Sequence, residues 1–218
     1  MIRLILLAIC LLVSLAPIYA QTTTPSSTAT SAAAKTKGNP GMDSARFEKL
    51  IAMAQYPLIQ STPFSGVLPV TDATEKPDPS LHYKLIMNLT AWEKDTASLG
   101  KVNGGLVEIC RLINLHAAAG IPKKNMELVT VVHAGALFAF LTNQAYHDYY
   151  KQDNPNLTVI RQLMGLGVKF IACGQAKQFL NIPTEKMIPE ISTALTAQVM
   201  LSSYQLKGFV RFDINGEK

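Results

Sequence analysis

Three runs of apolar, β-branched and aromatic residues stand out along the chain, at residues 81–90, 126–133 and 168–173. Each is short, nearly continuous in apolar side chains and bounded by turn residues, as expected of strands buried on both faces of a parallel sheet. A weaker run at 209–214 predicts a last strand. Residues 188–191 predict a poor fourth one, because Pro189 interrupts it.

The segments between these runs carry helical spacing. Phe47, Leu50, Ile51 and Ala54 share one face of a helix over 45–55. Leu106, Ile109, Cys110, Ile113 and Ala117 recur at i, i+3, i+4 after Asn103, and Gly120 with Pro122 closes that helix. A further helix is predicted over 157–164, capped by Asn156 and ended by Gly165 and Gly167. A short helix over 176–180 and a final one over 192–205 complete the set. Five prolines at 57, 63, 69, 77 and 79 predict a connector lying extended over the surface across 45–80, after the first helix. Strands alternating with helices define an α/β class: a three-layer domain over 81–218 with a five-stranded, mainly parallel sheet.

The first residues follow a different pattern. Arg3 precedes an uncharged apolar run from Leu4 to Leu15, and Ala20 offers a small residue before Gln21. Residues 1–20 read as a signal peptide, placing the mature protein outside the cytoplasm, secreted or periplasmic, with no stable membrane span after cleavage. Residues 21–44 are rich in Ser, Thr and Ala and poor in large apolar side chains, so they read as a flexible linker.

Charge and cysteine content narrow the function classes. The formal charge is +5, one unit less once Arg3 leaves with the leader, and the basic residues form no block. Nucleic-acid binding is therefore not expected. Beyond the leader only Cys110 and Cys173 remain, too few for a disulfide scaffold. The four histidines show no metal-ligand spacing, and neither a metal nor another cofactor is expected. Asn88-Leu-Thr90 and Asn156-Leu-Thr158 match the glycosylation sequon and are read as chance matches.

The candidate chemistry lies at strand ends. Cys173 closes one strand and is followed by Gly174 and Gln175; His133 closes another and is followed by Ala134-Gly135. Open parallel sheets bind ligands at the carboxyl ends of their strands. A helix starting near Ala176 would present N–H groups that favour an anionic sulfur. Cys110, on an apolar helical stripe, reads as a buried structural thiol.

Tyr83-Lys84, Val131-Val-His-Ala-Gly135, Asp153-Asn-Pro-Asn156, Cys173-Gly-Gln175 and the Ala/Leu-rich helix before Gly208 together resemble the DsrE/DsrF-like family, in particular its exported members. The resemblance spans roughly Gly66 to Ile214. It implies a flavodoxin-like sheet of order 2-1-3-4-5 and homo-oligomers. Its sulfur-relay members carry a persulfide on a cysteine after the third strand, and Cys173 holds that position. In that strand order Cys173 would border a crevice lined by Asn88 to Thr90. His133 would lie two strands away, about 10 Å at backbone level given about 4.8 Å per strand. The lipophilic stretch from Leu137 to Tyr150 is expected to form an intersubunit surface. Two functions follow: sulfur handling through a persulfide on Cys173, or a non-catalytic oligomeric module holding a small ligand or anion. In either case His133, Gly135, Asn88, Gly174 and Gln175 are expected to line the substrate or ligand site.

Overall fold

The structure is a computed structural model, and it describes residues 43–215. The predicted leader at 1–20 and all but the end of the predicted linker at 21–44 lie outside the described residues. Helix α1 (Ser44–Met53) is capped by the Asp43 carboxylate. The domain then reads β1 (Tyr83–Leu89), α2 (Thr96–Leu99), α3 (Gly104–Ala118), β2 (Met126–Val132), α4 (Asn143–Tyr150), α5 (Leu157–Gly165), β3 (Val168–Cys173), α6 (Gly174–Phe179), β4 (Ser192–Ala194), α7 (Ala197–Leu206) and β5 (Val210–Ile214).

All five strands are parallel, in the order β4-β3-β2-β1-β5. The three-layer α/β class is as the sequence predicts; the strand order is not. The expected order 2-1-3-4-5 set β1 between β2 and β3, whereas β2 pairs directly with β3 and β5 adds outside β1. Burial explains the difference. The apolar strands β1, β2 and β3 occupy the centre, while β5 alternates apolar with charged residues and β4 has three residues, as suits edges.

Stepping from β1 to β2 to β3 in one direction puts α3 and α5 on one face, and the return from β4 to β5 puts α7 on the other. The first face buries Leu106, Ile109 and Ile113 of α3 and Ile160 and Leu163 of α5 against Leu85, Met87 and Leu128. The second sets Ala197, Leu201 and Tyr204 of α7 on Ile86, Val129, Val131, Ile171 and Cys173.

Three local expectations are corrected. The fourth strand lies at Ser192–Ala194, because Pro189 cannot donate to a ladder and pairing starts only beyond it. The last helix accordingly begins at Ala197 rather than 192. The connector is not wholly a surface strap. Asn114, fully buried on α3, accepts N–H bonds from Leu58 and Ile59 at 3.0 and 3.1 Å and donates to the carbonyls of Ile59 and Ser65 at 2.7 and 2.9 Å.

Most of the stretch from Leu137 to Tyr150 is core of its own subunit. Leu137, Phe140, Leu141 and Tyr146 are buried, and only Tyr149 among its large apolar side chains is well exposed. The proposed intersubunit surface loses its motive there. The Asn-Pro-Asn element is a buried clamp. Asn154 donates to the carbonyls of Ala139 and Leu141, and Asn156 accepts from the Asn103 N–H at the start of α3. Burial of Asn88 and Asn156, 6% and 2% exposed, leaves neither sequon open to modification in the folded chain. Among the described residues no helix is long and apolar enough to cross a membrane.

Candidate functional site at the strand carboxyl ends

Cys173 ends β3 and caps α6, and it lies on the sheet face covered by α7. Its Sγ accepts the Ala176 N–H at 3.4 Å and the Ala197 N–H, the first residue of α7, at 3.2 Å. Amides at helix starts lack intrahelical acceptors and are available to an electron-rich atom. The residue is only 4% exposed despite its place at a strand tip. The cause is the β4–α7 turn, which folds over it.

The residues after Cys173 hold that turn. A side chain on Gly174 would put its Cβ 2.7 Å from the Ala194 carbonyl oxygen, so glycine is what lets β4 approach. The Gln175 N–H donates to the Leu195 carbonyl at 3.0 Å, while its side chain faces solvent. Lys177, one turn further and buried, donates to Thr184 Oγ1 and Thr193 Oγ1 at 2.9 and 3.3 Å, tying α6 to β4.

His133 prolongs β2 by one residue. Its backbone is extended (φ −150°, ψ −178°), and its N–H donates to the Leu89 carbonyl at 3.1 Å. Ala134 then turns the chain sharply with φ at 52°, a left-handed conformation uncommon outside glycine. Asn88 of β1 places its Oδ1 2.7 Å from His133 Nε2. The Asn88 Nδ2 donates to Asp213 Oδ1 of β5 at 2.6 Å, and Arg211 donates to the same oxygen from Nε and Nη2 at 2.9 and 2.6 Å. A polar row thus crosses β5, β1 and β2 on the α7 face.

The β2–β3 register pairs Val132 with Ala172, so His133 and Cys173 come next on neighbouring strands. They share the α7 face and are about 4.8 Å apart at backbone level, not the 10 Å expected from the other strand order. No hydrogen bond joins them directly. Arg211 and Asp213 escaped the sequence reading, although charges at alternate positions of an otherwise apolar strand are a usable signal.

Burial of the ring, with the Arg211 guanidinium nearby, lowers the His133 pKa against a smaller opposing pull from Asp213. Hydrogen bonds from Asn88 first and Arg211 second lower that of Asp213. A histidine with a depressed folded pKa contributes stability that is complete above its ordinary 6.5 and is lost as pH falls through the folded value. We expect His133→Gln to lose less stability than wild type between pH 6.5 and 5, measured by urea titration at each pH.

Gly135 has a packing role. A Cβ there would lie 2.0 Å from the Trp92 Cγ, so the glycine admits the indole. Gly135→Ala is expected to cost about 1–3 kcal/mol in denaturant unfolding, with most of the loss absent in a Trp92→Ala background. Cys110 is fully buried, and burial pushes its thiol up to about 11, as befits an inert core residue. Both cysteines among the described residues are free. Among the described residues no cluster of three His, Cys, Asp or Glu side chains could hold a metal ion.

A concavity separate from Cys173 and His133 lies beyond the ends of β1 and β5, where strand order reverses. This open cleft of ≈ 1020 Å³ is lined by Phe64, Trp92, Lys101, Gly104 and Arg111 and touches the polar row only at Asp213. Glu93 and Glu108, also on its wall, are held by the Gly104 N–H at 3.0 Å and by Arg111 at 2.8 Å.

No protein-family model matches the chain. No curated protein matches it. Among solved structures it is similar to a protein of unknown function from Methanobacterium thermoautotrophicum, MTH1491. The identity is 14% and the TM-score 0.44, over 60% of this chain and 98% of that one.

Proposed function

We propose that this is an exported DsrE/DsrF-like thiol protein that carries sulfur as a persulfide on Cys173. The observation supporting it most directly is the convergence of two helix-start N–H groups on the Cys173 Sγ, on the strand beside His133. Such donors suit a sulfur that must bear negative charge while a second sulfur joins it or leaves. The transfer needs no net oxidant. The Cys173 thiolate attacks the outer sulfur of a donor persulfide, the donor S–S bond breaks, and the donor departs as a thiol. Since Cys173 is 4% exposed, loading requires the turn at Leu195 and Thr196 to open.

Competitive alkylation tests the assignment. Native protein treated with limiting iodoacetamide should be modified at Cys173 before Cys110. Equal or inverted labelling would remove the support.

The cleft at the strand-order reversal favours a second reading, a non-catalytic module for a small ligand, because α/β sheets place ligands at such points. In that case a ligand would quench or shift Trp92 fluorescence without touching either thiol.

A further inference from the structure

We infer that Asp213, acting through Asn88, is a positioning residue that fixes His133 as the Nε2–H tautomer and leaves Nδ1 as the proton acceptor for the neighbouring Cys173. The role of the row as a proton-accepting unit rests on the sulfur-carrier function; the tautomer does not.

A carboxylate can only accept hydrogen bonds, and Asp213 Oδ1 already draws two from Arg211. The Asn88 atom 2.6 Å from it must therefore be the NH₂ group. Flipping that amide would set two oxygen acceptors against each other at hydrogen-bond distance. The Asn88 oxygen is thereby turned to His133, and only a protonated Nε2 can donate to it at 2.7 Å. Asn88 is 6% exposed, so water has little access to its amide, while the Asp213 side chain that orients it is half exposed.

Nδ1 of His133 takes no hydrogen bond among the described residues. The charged groups near this ring are Arg211 and Asp213 on β5. Neither α7, which covers the face, nor the turn Ala134–Phe140 after His133 holds a charged residue. Extended backbone at His133 continues β2 by one residue, which sets it beside Cys173 on the neighbouring strand, and the Asn88 hydrogen bond orients the ring.

The proton balance is closed. The Cys173 S–H proton passes to Nδ1, the sulfur lone pair forms the new S–S bond, and the departing donor thiolate takes the proton back. The net change is exchange of one sulfane sulfur between two thiols.

Histidine ¹⁵N correlation spectra at neutral pH test the tautomer. We expect His133 with a protonated Nε2 and a bare Nδ1. Asp213→Asn should keep that pattern, since its amide oxygen still accepts from Asn88, whereas Asp213→Leu should give a tautomer mixture. Rates of Cys173 loading from a glutathione persulfide donor should fall about tenfold in Asp213→Leu, which only misplaces the base, and about 100-fold in His133→Ala, the lower end of the usual range for loss of a general base. Asp213→Asn should be close to wild type. A protonated Nδ1 in the wild type, or an unchanged tautomer in Asp213→Leu, overturns the inference. Unchanged loading in a folded His133→Ala variant overturns its proton-accepting role. If the tautomer follows these expectations but no variant, wild type included, accepts sulfur, the sulfur-carrier function fails and the positioning of His133 stands.

Discussion

Replacing Cys173 by serine is expected to abolish sulfur loading and leave the domain folded, whereas replacing Cys110 by serine should do the reverse. The two thiols differ in surroundings. Cys110 sits at 0% exposure on α3, packed within the cluster that includes Leu106 and Ile113, and burial pushes its pKa up to about 11. The Ser61 hydroxyl beside the thiol could partner a serine, but the smaller, more polar side chain packs less well among these apolar neighbours, for a loss of about 1–3 kcal/mol. Cys173 instead faces two backbone donors, and a serine oxygen can accept from Ala176 and Ala197 in its place. Stability at that site should change little, while the capacity to form an S–S bond disappears. Urea unfolding of both variants, beside mass analysis after exposure to a persulfide donor, separates the two outcomes. Loading that survives in Cys173→Ser would end the sulfur-carrier function for this residue.

The largest loss of stability is expected at Asn114, far from the candidate site. Its amide serves four backbone groups of the connector: the N–H groups of Leu58 and Ile59 and the carbonyls of Ile59 and Ser65. Asn114→Ala leaves all four without that partner around a fully buried position. Each unmade buried hydrogen bond costs about 1–3 kcal/mol, and partial relaxation brings the total to about 4 kcal/mol. Asn114→Asp should also be severe, because a carboxylate keeps the two N–H donors but opposes the two carbonyl oxygens. Hydrogen exchange should show the amides of Leu58 and Ile59 losing protection in either variant. Retained protection would mean that other contacts hold the connector.

Much of the fold was legible because its central strands are unambiguous. β1, β2 and β3 are runs of apolar residues too short for helices, and the structure sets their ends within a residue or two of the predicted ones. Asn103 before a periodic helix was legible for the same reason: its side chain accepts from Gly105 and Leu106 at the helix start. Strand order was not legible, because alternation of elements says nothing about which strand adds to which edge. That error carried into the site by putting His133 two strands from Cys173, and pairing of β2 with β3 removes the separation.

The site itself was half visible. Cys173, His133 and Asn88 could be named as strand-end residues, and the structure links the last two directly. Asp213 and Arg211 complete the row only because β5 lies beside β1, a long-range fact with no local signature. Gly135 and Gly174 looked like ligand-approach glycines, but their near neighbours are Trp92 and the Ala194 carbonyl. A glycine in a strand-end loop signals close approach without saying what approaches. Asn114 gave no signal at all, since a lone asparagine inside a helix usually faces solvent.

Peptide mapping of the wild-type protein tests most directly whether Cys173 carries sulfur. The protein, reduced and then exposed to glutathione persulfide, should gain the mass of one sulfur atom on the peptide containing Cys173 and none on that containing Cys110. The added sulfur should leave on treatment with a reducing thiol, returning the unmodified mass. A Cys173 peptide that never gains sulfur in the folded protein, or gains it only after unfolding, would contradict the account.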